Sequence, residues 1–214
     1  YSALRGEFSR QAWYQWPAPL RDREPQALAA ARARLAGEIA RVGFEQFAFA
    51  RQWQALRAYA AAHGVLLFGD MPIFVAHDSV DVWTHRDHFA LEDAGQPLAV
   101  AGVPPDYFST TGQRWGNPLY DWERMRADDF RWWIARLTTE FRRFDLVRID
   151  HFRGFEAHWE IPVAEPTADR GHWVDVPGEA LFDALLAHFG ALPLVAEDLG
   201  HITPAVHALR ARYG

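Results

Sequence analysis

Three short apolar segments of the chain each end in, or just before, an acidic residue. The acids are Asp70, Asp150 and Glu197, the last of which is followed by Asp198. If the segments are strands of one parallel sheet, their C-terminal ends lie at the same edge and the carboxylates meet there. A single acid in this position commonly caps the following turn. Three in succession favour a shared pocket.

Paired carboxylates suit the cleavage of a glycosidic bond. One carboxylate attacks or stabilises the anomeric carbon, and the other carries the proton that releases the leaving oxygen. Arg148 stands two residues before Asp150 on the same strand face, where its charge would stabilise a negative Asp150. Sugars also stack on aromatic rings, and the chain has 10 tryptophans. The pattern therefore favours an enzyme of carbohydrate chemistry.

The elements that must position these acids alternate between strand and helix. Apolar periodicity predicts strands at about 65–68, 146–150 and 192–197, and helices at about 25–42, 51–63, 128–144, 178–189 and 204–213. The connections 75–122 and 152–177 are too long for ordinary loops, and their aromatic residues favour ordered, functional ones. We therefore predict an α/β fold that is part of a (β/α)8 TIM barrel, with long loops inserted at the C-terminal face of the strands.

Composition narrows the class of protein. The 214 residues are 50% hydrophobic and 23% charged, which predicts a packed core. The net charge is −6 without a basic block, which argues against nucleic-acid or membrane-surface binding. With no cysteine, disulfides and thiol catalysis are excluded. No apolar run reaches the ~18 residues of a membrane helix and no signal peptide is seen, so we expect a cytoplasmic protein.

Several motifs give the sequence a family resemblance. Two examples are Val147-Arg-Ile-Asp-His-Phe-Arg-Gly154 and Val195-Ala-Glu-Asp-Leu-Gly200, and further matching segments are 44–47, 51–53, 69–83, 102–109, 111–120 and 173–178. In this order they resemble the 4-α-glucanotransferases (amylomaltases, disproportionating enzymes) of the α-amylase superfamily. The resemblance implies transfer of a 1,4-α-glucan segment to glucose or a maltooligosaccharide. The α configuration would be retained through a covalent glucosyl-enzyme intermediate, with no cofactor or metal.

The resemblance also assigns roles to individual residues. Asp150 matches the nucleophile and Glu197 the general acid/base, while Arg148 and His151 flank the nucleophile. Asp70 matches the acid of the superfamily's first motif, and the segment 75–122 would be an insertion forming part of the glucan site, with a mobile loop over the donor. The residues expected to bind substrate are Asp70, Asp106, Tyr107, Phe108, Gln113, Trp115, Arg148, His151 and Asp198.

One family motif is missing. The family has a third essential aspartate in a His-Asp-Asn motif, and no such motif occurs here. Since the sequence also begins at Tyr1 without methionine, we interpret residues 1–214 as a partial catalytic barrel domain, an excerpt that is inactive alone. An α-glucan hydrolase and a non-catalytic glucan-binding fragment stay open as alternatives.

Two weaker patterns favour structural explanations. His85 and His88, with Asp81 and Asp87 nearby, could suggest a metal site, but a solvated polar loop explains them better. Trp133 has the helical spacing of a core residue. Trp13 is equally compatible with a sugar platform and with packing.

Overall fold

The computed structural model describes residues 1–107 and 109–214. Its helices are α1 (Ser2–Glu7), α2 (Ala18–Arg21), α3 (Pro25–Arg34), α4 (Ala36–Ala62), α5 (Val80–Thr84), α6 (Trp122–Ala127), α7 (Arg131–Arg143), α8 (Gly178–Phe189) and α9 (Pro204–Tyr213). Its strands are β1 (Phe68–Pro72), β2 (Ala99–Val103), β3 (Gln113–Pro118), β4 (Leu146–Asp150), β5 (Ala157–Pro162), β6 (His172–Asp175) and β7 (Leu194–Ala196). No helix in these two ranges is long and apolar enough to span a bilayer.

A parallel sheet with the strand order β1-β4-β7 carries the expected acids. Val147 and Ile149 of β4 are buried in one cluster with Leu137 of α7 and Leu181 of α8. The opposite face of the sheet is exposed, and Phe68 on it is 58% accessible. Alternation along each strand therefore separates a helix-covered face from an open one.

The register of this sheet brings charged residues together. Asp70 pairs with Arg148, and Pro72 pairs with Asp150. On the other side of β4, Ile149 pairs with Ala196, so Glu197 follows immediately after the paired part of β7. Strands β4 and β7 and helices α8 and α9 confirm the sequence prediction in type and approximate position.

A second, antiparallel sheet has the order β3-β2-β5-β6 and was not predicted. Its strands, together with α5, come from the segments 75–122 and 152–177, so these segments hold regular structure where loops were expected from the sequence. The pairing joins distant stretches, for example Ala99 to Pro162. Gly102 permits a close approach of β3, because a Cβ there would lie 2.2 Å from the Gln113 carbonyl oxygen.

Three boundaries in the first half of the chain also differ from the prediction. The first parallel strand is Phe68–Pro72, so Asp70 lies within it. Asp145 fixes the segment before it, because the Leu67 N–H donates to Asp145 Oδ2 at 2.8 Å. The predicted helices at 25–42 and 51–63 were wrongly divided, since α3 ends at Arg34 and α4 runs unbroken from Ala36 to Ala62.

Aromatic side chains form much of the core. Trp133 is buried and stacks at 6.2 Å on Trp122, which confirms its packing role. Trp13 is fully buried, and its Nε1 donates to the His77 carbonyl at 2.7 Å. This tryptophan is therefore a core residue here. The described residues form a mixed α/β fold, and the complete barrel stays a prediction.

Candidate active site

Arg148 connects two of the three acids. Its Nη1 donates to Asp70 Oδ1 at 2.8 Å, and its Nη2 donates to Asp150 Oδ1 at 2.7 Å. The hydrogen bond to Asp70, followed by the one to Asp150, raises the pKa of Arg148. The strand register explains this triad, because it places Asp70 beside Arg148 while Asp150 lies on the same face of β4.

Glu197 is held by backbone groups around the end of β4. Its own N–H donates to the Ile149 carbonyl at 3.1 Å. Its Oε2 accepts from the His151 N–H at 3.0 Å, and its Oε1 accepts from the Leu199 N–H at 2.5 Å. Because His151 directly follows Asp150, the Glu197 carboxyl group lies against the peptide segment that carries Asp150.

His151 has an unusual backbone and a buried ring. Its φ of 59° is left-handed, which non-glycine residues adopt rarely. Burial first, and then the charge of Arg153, lower the pKa of His151 to about 4, so the ring is neutral at pH 7. Its Nε2 is buried without a hydrogen-bond partner among the described residues. The imidazole is therefore a neutral packed group beside Asp150.

Strand β3 adds an aromatic wall to this edge. The Trp115 ring meets the His151 ring edge-on, with a centroid separation of 4.8 Å and an interplanar angle of 90°. Gln113 Oε1 accepts from Trp115 Nε1 at 3.1 Å. Trp115 is 38% accessible, which leaves part of its surface open to a ligand. The structure therefore brings β3 to the acids of the parallel sheet.

Asp106, Tyr107 and Asp198 are the other candidates among the described residues. Asp106 forms a turn with Ser109, whose N–H donates to Asp106 Oδ1 at 2.8 Å, and Tyr107 is 95% accessible. Phe108 lies outside the described residues. Asp198 contacts Arg210 of α9 at 3.4 Å. For all of the candidates, the expected roles stay predictions.

A polar cavity of about 940 Å³ lies elsewhere, between α5, α6 and α7. His88 lines it and is largely buried, with its Nε2 2.8 Å from Asp128 Oδ2, so the sequence interpretation of a solvated loop was wrong for this residue. In residues 1–107 and 109–214, no group of three or more histidine, aspartate or glutamate side chains is arranged to hold a metal ion.

Sequence reasoning missed the groups that fix the end of β1. The buried Tyr120 hydroxyl donates to the Ile73 carbonyl at 2.6 Å, and Arg136 Nη1 donates to the same oxygen at 2.9 Å. Arg136 also lies over the rings of Trp132 and Trp133. The sequence does carry one signal for this contact: Arg136 lies beside the aromatic residues of α7, and a charged residue in such surroundings needs specific partners.

Comparisons with known proteins give consistent matches along the whole chain. A family sequence model described as 4-alpha-glucanotransferase matches residues 1–214. The 4-alpha-glucanotransferase of Thermus thermophilus is 55% identical over 214 residues, which is 100% of this chain and 43% of that protein. That of Synechocystis is 48% identical, with the same coverages of 100% and 43%.

A solved structure agrees with the sequence matches. It is an amylomaltase from Streptococcus agalactiae in complex with acarbose. This structure superimposes with a TM-score of 0.96 at 41% identity, over 99% of this chain and 43% of that one. The chain thus spans less than half the length of these three proteins.

Proposed function

Because this chain belongs to the 4-alpha-glucanotransferase family, we propose that it is part of an enzyme that moves a 1,4-α-glucan segment from one maltooligosaccharide to another or to glucose. The activity is assigned to a full-length protein of the relatives' size, since the chain covers 43% of their length. The 214 residues alone are expected to be inactive.

The observation that carries this proposal is the convergence of Asp150 and Glu197 at the end of the parallel sheet. Arg148 orients Asp150 through a 2.7 Å hydrogen bond, as suits a nucleophile that must stay negative. Glu197 bonds to the peptide next to Asp150, as suits an acid/base acting on the same glycosidic bond. Two carboxylates in these roles support a retaining double displacement.

The fold supports a barrel assignment for the complete enzyme. Helices α7 and α8 pack on one face of β1, β4 and β7, while Asp70 and Arg148 lie on the open face. In a (β/α)8 barrel the helices lie outside, and the active site lies at the C-terminal ends of the strands. The open face would then be the barrel interior, closed by strands outside this chain.

The proposed substrate site extends from the acids to the segment 75–122. Trp115 and Gln113 would contact the donor glucan beside Asp150, and Asp106, Tyr107 and Phe108 would belong to a loop that covers it. Asp70, His151 and Asp198 complete the proposed set. Acarbose in the Streptococcus agalactiae amylomaltase supports an α-glucan as the ligand. A cytoplasmic location stays a prediction.

The test uses the full-length parent enzyme with maltotriose as the only substrate. We expect glucose together with maltooligosaccharides longer than maltotriose, separated by chromatography. Products no longer than the substrate would indicate a hydrolase and contradict the transferase proposal. Residues 1–214 alone serve as the comparison, and binding of maltotriose without turnover by this piece would agree with the missing part of the site.

A further inference from the structure

We propose that His151 is a positioning residue whose backbone N–H, held in the left-handed conformation, fixes one oxygen of Glu197 and leaves the other to exchange the proton. The inference deepens the proposed function and rests on it. It concerns the peptide group of His151, whereas the family resemblance implies that this residue flanks the nucleophile and orients substrate and charge.

The geometry of the turn after β4 supplies the donor. If the parallel ladder continued, the His151 N–H would bond to a backbone carbonyl of the neighbouring strand. At a φ of 59° the chain turns out of the ladder, and this N–H donates to Glu197 Oε2 at 3.0 Å. The His151 carbonyl then accepts from the Gly154 N–H at 2.9 Å, which closes the turn.

Packing around the imidazole holds this conformation. The Trp115 ring lies edge-on to the His151 ring at 4.8 Å. On Gly154, a Cβ would lie 3.1 Å from His151 Cδ2 and 2.9 Å from Ile73 Cδ1, so the ring occupies space that a side chain there would need. Left-handed residues other than glycine persist where their surroundings fix them, and they are frequent at active sites.

The two oxygens of Glu197 have partners that differ in how readily a substrate can displace them. An N–H group only donates, so Oε2 must act as an acceptor in both protonation states of Glu197. Oε1 accepts an N–H as well, but from an exposed residue, and we therefore assign the proton to Oε1. That oxygen accepts from the Leu199 N–H, within a loop where Leu199 is 75% accessible, so a substrate oxygen can replace this local bond.

The two chemical steps balance with this assignment. In the first, Oε1 gives its proton to the glycosidic oxygen while the bond from that oxygen to C1 breaks and an Asp150 oxygen bonds to C1. In the second, the acceptor hydroxyl returns a proton to Oε1 while its oxygen bonds to C1 and the Asp150 ester bond breaks. Oε2 stays on the His151 N–H throughout.

The test compares two donors in the full-length parent enzyme. The leaving oxygen of maltotriose needs a proton, whereas the leaving group of α-maltosyl fluoride is a fluoride ion, which needs little help from an acid. His151→Val disfavours the left-handed conformation, and His151→Asn tolerates it. We expect His151→Val to slow first-turnover cleavage of maltotriose at least about tenfold more than fluoride release, which is part of the roughly 10²–10⁴-fold that general acid catalysis contributes. His151→Asn should keep the wild-type ratio between the two donors.

The matched control introduces valine at another left-handed position, far from the proposed site in the sequence. Ser9 has a φ of 52° in the turn after α1, so Ser9→Val should lower the melting temperature without changing the donor ratio. If His151→Val does not fold, His151→Ala makes the same comparison with a smaller side chain. Equal losses on both donors, or the same ratio change in His151→Asn and His151→Val, would overturn the proposal.

The transferase function and the positioning role of His151 are contradicted by different results. A wild-type enzyme that cleaves maltotriose but forms no longer products contradicts the transferase function. Its donor ratio still tests His151, because hydrolysis by the same carboxyl pair also needs the acid. A wild-type transferase whose His151→Val variant keeps the normal donor ratio contradicts the positioning role alone.

Discussion

The parallel and antiparallel sheets meet at the acids but contribute different things. In the parallel sheet, strand register alone places Asp70 beside Arg148 and sets Glu197 next to the end of β4. The antiparallel sheet supplies rings: Trp115 contacts His151, and Arg153 lies 3.6 Å from the centre of the Trp173 ring. The proposed reacting groups therefore depend on backbone pairing in one region, while their surroundings depend on packing from the other.

The largest expected effect falls on the parallel sheet. In the full-length enzyme, Asp150→Asn removes the proposed nucleophile and should lower the kcat for maltotriose at least about 10⁴-fold. The melting temperature should change little, because the Asp150 side chain is about half exposed. Product formation and thermal unfolding are measured on the same preparation. Retained transfer in a folded variant would contradict the division of roles between the two sheets.

A substitution inside the antiparallel sheet should instead lower the stability of the protein. In Gly102→Val a Cβ would lie 2.2 Å from the Gln113 carbonyl oxygen and 2.5 Å from Ile161 Cδ1, so β2 and β3 must separate. We expect a loss of about 3 kcal/mol in the free energy of unfolding, measured by urea denaturation of the full-length enzyme. Gly43→Ala is the control, because a Cβ there meets nothing within 4 Å and Ala favours the α4 helix. Equal stability of both variants would disprove the packing argument.

His151 lies where the two regions meet, and it links stability to pH. Its pKa of about 4 is below the ordinary histidine value of 6.5, so the unfolded state takes up the proton first as the pH falls. The contribution of the neutral His151 ring to the free energy of unfolding is therefore present above pH 6.5 and is lost as the pH falls towards 4. Arg153 and His158 disfavour the imidazolium, while Asp150 favours it.

Between pH 7 and 4.5, the titration of His151 alone should lower the free energy of unfolding by about 2 kcal/mol. Urea denaturation of the full-length enzyme at pH 7, 5.5 and 4.5 measures it, and His151→Asn should flatten the dependence. His77, whose pKa burial also lowers, contributes to the remaining slope in both proteins. An unchanged slope in the variant would show that His151 is not the titrating group.

The parallel sheet and its acids were predictable because apolar runs and strand-end carboxylates are local signals. Leu146–Asp150 forms the predicted strand and Glu197 directly follows β7, whereas Asp70 lies inside β1 and is joined to Asp150 through Arg148. The antiparallel sheet was not predictable, because Ala99 pairs with Pro162 across a stretch that contains β3, α6, α7 and β4. The left-handed conformation of His151 was equally invisible, since no local pattern shows that its ring packs against Trp115 of β3.

The smallest expected effect tests the contact that joins the two sheets. Trp115→Ala should lower kcat/KM for maltotriose in the full-length enzyme about tenfold, because it removes a ring that faces the proposed glucan site and supports His151. The free energy of unfolding should fall by only about 1 kcal/mol, since Trp115 is 38% accessible. Trp133→Ala is the matched control: this ring is buried in the core, so stability should fall by about 4 kcal/mol. If Trp115→Ala lost as much stability as Trp133→Ala, the ring would belong to the core, and the antiparallel sheet would support the fold without shaping the site.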